Sequence, residues 1–541
     1  MKLRVAITCV LALLLATAGA QPASKPATSY RIAGTVVNAA SGEPVRRATV
    51  AMLSESDRQT VASVETDNEG RFSLDGLAAG KYPLTASKRG FLTAFYDEHY
   101  GYHTAIVTGA DQETGSLVFR LVPGAVLHGV VTGDGGDPVE GAKVMLFVKP
   151  HNHNPGARIT QAGEAATDDT GAYEFDGLAA GEYLLAVTAE PWYAIHHFAA
   201  GAKRQPEAEA GAALDVAYPV TYFDATTDEA AATPIVIAGG SREEANLNLH
   251  ALPALRLTVE SPINQNGVSV GPSLHQTIFG TTLNDISTGN PITHNNTDEF
   301  KQIGVAPGYY ELTQGDPPRV VEFDATTSLQ VDPSLGTPAV TVSGILQASD
   351  DAALPENPEI LLSSMDESHP HAPQKTTSNR GRFSFAAVSP GSWELWAVSG
   401  KPLTITSLTI GNRAHSGNQL TVRDKPVNVT ATVSLSETRV EGFARNGDKG
   451  MAGVMIVLVP KDPSAFRSLV RLDQSDSDGS FSLRDVAPGQ YTVVAIEEGW
   501  ELDWARPEVI SRYLSQGIPV TVTESSGKLL RLSQAVPAQE R

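Results

Sequence analysis

One cysteine serves 541 residues, and it is Cys9. It lies inside MKLRVAITCVLALLLATAGA, where Lys2 and Arg4 precede an apolar run that ends in Ala18-Gly19-Ala20. That order of charge, apolar run and small residues reads as a cleavable secretory signal, with cleavage near Ala20. The run is short for a membrane anchor, and Cys9 has no lipobox-like setting. The expected mature chain therefore has no thiol, which excludes disulfides, cysteine metal ligands and cysteine nucleophiles together. After residue 20 no apolar stretch is long enough to cross a membrane as a helix, so no span is expected after signal cleavage. Basic residues are also short, 40 against 61 acidic ones, for a formal net charge of −21. Such a surface disfavours nucleic acid and anionic membrane as partners, and solubility explains it. The expected location is secreted or periplasmic.

What the chain has in quantity is one repeated stretch. DNEGRFSLDGLAAGKY (67–82) returns as DDTGAYEFDGLAAGEY (168–183) and DSDGSFSLRDVAPGQY (476–491). Looser copies are SNRGRFSFAAVSPGSW (378–393) and DEFKQIGVAPGYY (298–310), the last without its first glycine. An Asp three residues before a Gly suits a tight turn, because the carboxylate accepts from backbone two residues on and Gly supplies φ > 0. The next core residues, such as Phe72 and Leu74, are two apart and share one face of a strand. A second glycine turn follows, Pro-Gly at 307–308, 390–391 and 488–489, where a type II turn would put the glycine in the left-handed region. An aromatic two residues later opens the next strand.

Each strong copy follows a partner element: IAGTVVNAASGEPVRRATVAML (32–53), LHGVVTGDGGDPVEGAKVMLF (127–147) and VEGFARNGDKGMAGVMIVLV (440–459). These read as strand, Gly/Asp/Pro turn and apolar strand. Closing strands follow, such as LVFRLVP (117–123) and LNLHALP (247–253). Short strands punctuated by turn signals predict an all-β chain of about five tandem immunoglobulin-like sandwiches. The expected divisions are the signal (1–20), a linker (21–29), and sandwiches at 30–122, 123–252, 253–333, 334–436 and 437–534. The second carries a long insertion, the third is degenerate, and 535–541 reads as a frayed tail. Within the insertion, AAGAKRQPEAEAGAA (199–213) reads as a projecting loop or a short surface helix.

The pattern G-x-V…G-x-P-V-x-x-A-x-V…D-x-x-G-x-F-x-L-x-x-L-x-x-G-x-Y resembles the carboxypeptidase regulatory-like domain. The resemblance is strong in the first, second and fifth units, fair in the fourth and poor in the third. It implies a small prealbumin-like sandwich, found in tandem in secreted bacterial proteins and grouped with carbohydrate-binding-like folds. In metallocarboxypeptidases this domain is accessory to a separate catalytic domain, so the resemblance implies no chemistry of its own.

Motifs for chemistry are weak. GVSVG (267–271) matches a nucleophile elbow around Ser269, but that chemistry needs a strand–turn–helix and Pro272 follows directly. SDSDGSF (475–481) resembles the middle of an EF-hand loop, yet Gln474 stands where the first Asp belongs and Asp485 replaces the bidentate glutamate. His151, His153, His196, His197, His369 and His371 lie in different loops, without HExxH or the zinc carboxypeptidase H-x-x-E pair. No catalytic residue, metal or cofactor is expected, and the chain does not read as an enzyme.

The aromatic runs are the functional candidates. Phe95, Tyr96, Tyr100 and Tyr102 follow the first motif copy; Trp192, Tyr193 and Phe198 follow the second; Trp500 and Trp504 follow the fifth. Flat rings stack on sugar faces, and Asp97, Glu98 and Asp503 stand beside them to bond hydroxyls. The structural alternative is that these rings cover a sheet edge or fill a joint between sandwiches. Three expectations follow. The first is a binding protein for polysaccharide or another surface polymer, with Tyr96, Tyr100, Tyr102, Trp192, Tyr193, Trp500 and Trp504 as the ligand-binding residues. The others are a scaffold or spacer rod that engages envelope proteins, and an accessory to a separate carboxypeptidase.

Overall fold

The computed structural model describes residues 29–541 except 56–57, 151–157, 195–212, 263–270, 281, 287–291, 295–296, 316–317, 350–351, 367–370 and 525–526. The signal segment, Ser269, Phe198, His151, His153, His196, His197, His369 and most of the alanine-glutamate stretch lie outside the described residues. Among the described residues no helix is long and apolar enough to cross a membrane.

The same strand plan recurs five times. In the first unit Tyr30–Asn38 lies between the motif strand Arg71–Leu77, antiparallel, and the closing strand Leu117–Leu121, parallel. The second unit places Ala125–Thr132 between Ala172–Leu178 and the closing pieces Arg242–Glu244 and Leu247–Asn248. The third uses Leu255–Pro262 between Thr297–Val305 and Leu329–Val331. The fourth uses Val340–Ala348 between Arg382–Val388 and Val427–Ser434. In the fifth Arg439–Asn446 pairs with Ser480–Leu483, Leu529–Arg531 and Val536–Gln539. The facing sheet pairs the second apolar strand with the strand that follows the motif, as in Lys143–Val148 with Gly181–Thr188 and Met455–Pro460 with Gly489–Ile496. The degenerate third unit is thus a complete two-sheet sandwich. The segment read as a frayed tail holds a strand, because Val536 is fully buried in the fifth core and completes its sheet.

Alternation explains the cores. Along Arg71–Leu77, Phe72, Leu74 and Leu77 are buried while Arg71, Ser73 and Asp75 face solvent. Phe72 and Leu74 pack with Val50, Met52 and Phe119 from both sheets, as the two-residue period of a strand dictates.

The repeated stretch behaves as its spacing predicts in its first half. Asp67 Oδ1 accepts from the N–H groups of Glu69 (2.9 Å) and Arg71 (2.8 Å), and Asp168 Oδ1 from those of Thr170 (2.8 Å) and Ala172 (2.9 Å). Gly70, Gly171 and Gly479 have φ of 71°, 75° and 85°. A Cβ on them would meet the carbonyl oxygens of Val36, Val131 and Ala444 at 2.6, 2.4 and 2.6 Å. In its second half the stretch differs from expectation. In the first, second, third and fifth copies the left-handed residue is not the glycine of the Pro-Gly or Ala-Gly pair but the one four positions earlier, at Gly76, Gly177, Gly304 and Asp485, while in the fourth Gly391 itself has φ of 156°. The later glycine instead begins a strand and lies under the aromatic ring two residues on. That ring folds back to bond a carbonyl four residues upstream. Tyr82, Tyr183, Tyr310 and Tyr491 donate to Ala78 (3.1 Å), Ala179 (3.0 Å), Ala306 (2.6 Å) and Ala487 (2.7 Å), and the Trp393 indole N–H donates to Ser389 (3.0 Å). All five copies keep this bond, which is why Trp can replace Tyr in the fourth.

Each sandwich also contacts its neighbour. Gly124 N–H of the second unit donates to Gly90 O of the first (3.1 Å). Phe279 of the third stacks edge-on to Phe147 and Tyr222 of the second, both at 5.0 Å. His371 of the fourth meets Glu311 of the third. Arg467 of the fifth stands 2.5 Å from the buried Glu394 of the fourth. The fifth then contacts the first, so the chain closes into a cycle.

Candidate functional site at the junction of the first and fifth sandwiches

The junction is built where the aromatic run of the first unit meets the motif turn of the fifth. Residues 97–103 curl tightly, with Asp97, Tyr100 and Gly101 at φ of 53°, 52° and 85°, and His99 bridged to Tyr102. The curl presents His99, Tyr100 and Tyr102 to Trp500. His99 and Tyr102 stack on that indole at 5.6 and 5.4 Å between centroids, and Tyr100 tilts over it at 6.4 Å. Trp500 sits in the short turn Gly499–Glu501 with 3% exposure.

Beside the rings runs a set of hydrogen bonds. Asp476 Oδ1 accepts from Ala105 N–H (3.0 Å) and its Oδ2 lies 2.5 Å from Lys81 Nζ. Ser477 N–H donates to Ala105 O (3.0 Å), and Val107 N–H donates to Ser477 Oγ (2.8 Å). Gln474, 1% exposed, donates from its amide to the Asp97 carbonyl and to Thr104 Oγ1 (2.8 Å), while its oxygen faces His99 Nδ1 at 3.1 Å. A carboxylate at 474 could not donate these bonds, which explains the departure from an EF-hand pattern.

A cavity of about 330 Å³ opens beside this contact, lined by Arg58, Lys81, His103, Arg471, Asp473 and Arg484 among others. Burial pushes the Asp473 carboxyl up to about 7, although Ser482 N–H donates to it at 2.6 Å. Burial, helped by Arg58 and Arg484, pushes His103 down to about 4, so its imidazole is neutral at physiological pH and stacks on Phe95 at 4.2 Å. Arg471 is spent on the carbonyls of Ser468, Val470 and Asp485 and on Thr404 Oγ1 of the fourth unit (2.7 Å). Lys81 and Arg471 of this lining therefore hold sandwiches together.

The structure places the seven aromatic candidates in four settings. Tyr100, Tyr102 and Trp500 meet in the junction, with Tyr100 still 44% exposed. Trp504, fully buried, packs under it against Phe466 in a cluster with Val494 and Ile510. Tyr96 lies at the edge of the first core, edge-on to Phe119 at 5.5 Å. Trp192 and Tyr193 are far along the second unit, perpendicular at 5.8 Å, and Trp192 is 77% exposed. The adjacent carboxylates are engaged with their own surroundings: Asp97 with Thr104, Glu98 with Phe95 N–H, and Asp503 with Arg506. Lys81, Ala105, Gln474, Asp476 and Ser477, which build the junction, were not legible as a site. Nothing in sequence links positions nearly 400 residues apart, and Asp476 looks like any other motif Asp.

The carboxypeptidase regulatory-like domain model matches residues 31–121 and 126–200. The protein carries carboxypeptidase regulatory-like domains. Beyond the two matched regulatory-like domains, residues 439–514 match the second beta sandwich domain of the BOS complex subunit NOMO1-like family. No curated protein matches the chain. Among solved structures it is similar to the TIE protein of Bacillus anthracis (9% identity, 76% of each chain, TM-score 0.19). It is also similar to a streptococcal ancillary pilin (10%, 75% of this chain and 99% of that one, TM-score 0.16) and to the minor pilin GBS52 of Streptococcus agalactiae (14%, 41% and 97%, TM-score 0.21).

Proposed function

We propose that the protein is a non-catalytic, exported scaffold whose sandwiches close on themselves and present a fixed array of loops to envelope proteins. The observation that carries this reading is the junction of the first and fifth units, where Tyr100, Tyr102 and Trp500 are spent on joining sandwiches. A linear spacer would leave those rings in solvent. Scattering from residues 21–541 should give a closed particle, and pull-down from envelope extracts should retain a partner that the Trp500→Ala variant loses. An elongated particle, or no partner, overturns the reading. Export itself is tested by fractionation and by an N-terminus at Gln21.

A second reading, polysaccharide or surface-polymer binding, is favoured by Trp192, whose ring is the most exposed of the candidate aromatics described. Stacking on sugar needs one free aromatic face. A glycan array on the mature chain, repeated with Trp192→Ala, tests it; no bound glycan, or binding unchanged in the variant, removes it.

A further inference from the structure

The third sandwich carries a row of three ionisable residues across adjacent strands. His275 on Ser273–Ile278 pairs directly with Glu311 on Gly308–Gln314, and Glu311 pairs directly with Glu322 on Arg319–Ala325. Directly opposed residues project from the same face of a sheet. Two glutamates placed opposite each other repel, so this row calls for a cation. The fourth sandwich supplies a residue over it: His371 Nδ1 stands 3.4 Å from Glu311 Oε2 and 3.5 Å from Glu322 Oε1. Its ring is held parallel to the fully buried Trp393 at 5.6 Å. On the other side, His275 Nε2 lies 3.0 Å from Glu311 Oε1. Glu311, His275 and His371 keep only 19, 13 and 17% of their side-chain exposure, while Glu322 stands at the rim with 38%.

We propose that Glu311, Glu322 and His371 bind a divalent transition-metal ion of the zinc class, which staples the fourth sandwich to the third. One donor atom from each of the three lies within 4.8 Å of the others. The two contacts to His371 are longer than the ~2.7–2.9 Å of a charge-assisted hydrogen bond. They match the roughly 3.3–3.4 Å between two donors that hold zinc tetrahedrally at ~2.0–2.1 Å. The imidazole donor selects zinc-class metals over calcium and magnesium, which take oxygen. Three protein ligands leave room for water. His275 acts as a positioning residue, fixing the Glu311 carboxylate from behind as outer partners of metal ligands do.

The test is calorimetric titration of the EDTA-treated full chain with Zn²⁺, repeated with Co²⁺ for its ligand-field absorption. The expected result is saturable binding at one strong site and a raised melting temperature. Affinity should fall at least about tenfold in Glu322→Gln and His371→Gln, and about tenfold in His275→Gln, while His415→Gln, on an exposed hairpin, changes nothing. Glu322→Gln keeps the side chain's shape at the rim, so its metal-free melting temperature should equal or exceed that of the parent. If no saturable site is found, or if Glu322→Gln and His371→Gln bind as the parent does, the cluster is an ion pair of protonated histidine and the proposal is overturned.

Discussion

Lys81 Nζ stands 2.5 Å from Asp476 Oδ2, and 395 residues separate the two in sequence. Asp476 occupies the motif position of Asp67 and Asp168, which both cap their own turns. In the fifth unit Asp478 takes the Ser480 N–H instead (2.9 Å), and the Asp476 carboxylate, which keeps only the Ser480 hydroxyl of its own turn (3.2 Å), is turned onto the first sandwich. One conserved-looking position thus does two different jobs. Removing Lys81 would leave a largely buried carboxylate without its cation, a loss on the order of 3 kcal/mol for a buried pair. Lys81→Ala should therefore lower the melting temperature more than Lys143→Ala, whose partner Glu164 is half exposed; differential scanning calorimetry reads both.

The three tryptophans of the aromatic runs should separate cleanly. Trp504→Ala empties a fully buried site and should cost about 3–5 kcal/mol. Trp500→Ala should chiefly free the first unit from the fifth, making the 97–105 curl sensitive to limited proteolysis. Trp192→Ala removes an exposed ring and should leave stability within about 0.5 kcal/mol of the parent.

The buried Asp473 sets a pH dependence. Its carboxyl is raised in the folded chain to about 7, against an ordinary value of 3.8. The folded state therefore holds the proton more tightly than the unfolded one. Its stabilising protonation is fully present below about pH 4 and is lost as pH rises to about 7. Denaturant unfolding of the parent should weaken across that window, and Asp473→Asn should abolish this share, gaining on the order of 2–4 kcal/mol at pH 8 relative to pH 4. An Asn oxygen can still accept from Ser482 N–H. Equal pH slopes in the two proteins would remove Asp473 as the cause.

The bond from the motif aromatic to the carbonyl four residues upstream predicts a small, repeated effect. Tyr491→Phe, which strips a buried hydroxyl of its 2.7 Å bond to Ala487, should cost about 1 kcal/mol. Gly479→Ala should cost more, because it adds both left-handed strain and a 2.6 Å contact with the Ala444 carbonyl.

The fold was legible because its signals are local. Asp67, Gly70, Phe72 and Leu74 fix a turn and a strand within eight residues, and repetition of that pattern counted the sandwiches. The third unit looked worn because it lost its first glycine, yet Phe300, Val305 and Tyr310 kept its core. The left-handed position was misplaced because Pro-Gly is a general turn signal, whereas the ring of Tyr491 decides what Gly489 is for. The site was less legible. Aromatic density pointed to the right segments, but whether Trp500 faces a ligand or a neighbouring sandwich depends on where the chain returns. Gln474 and Lys81 carried no mark at all.

The closed arrangement is the central claim, and amide hydrogen exchange tests it most directly. Ala105, Val107 and Ser477 donate their N–H groups across the junction. In the full chain these amides should be protected, and in a chain truncated after residue 436 those of Ala105 and Val107 should exchange faster while the first core stays protected. Equal exchange at Ala105 and Val107 with and without the fifth sandwich would contradict it.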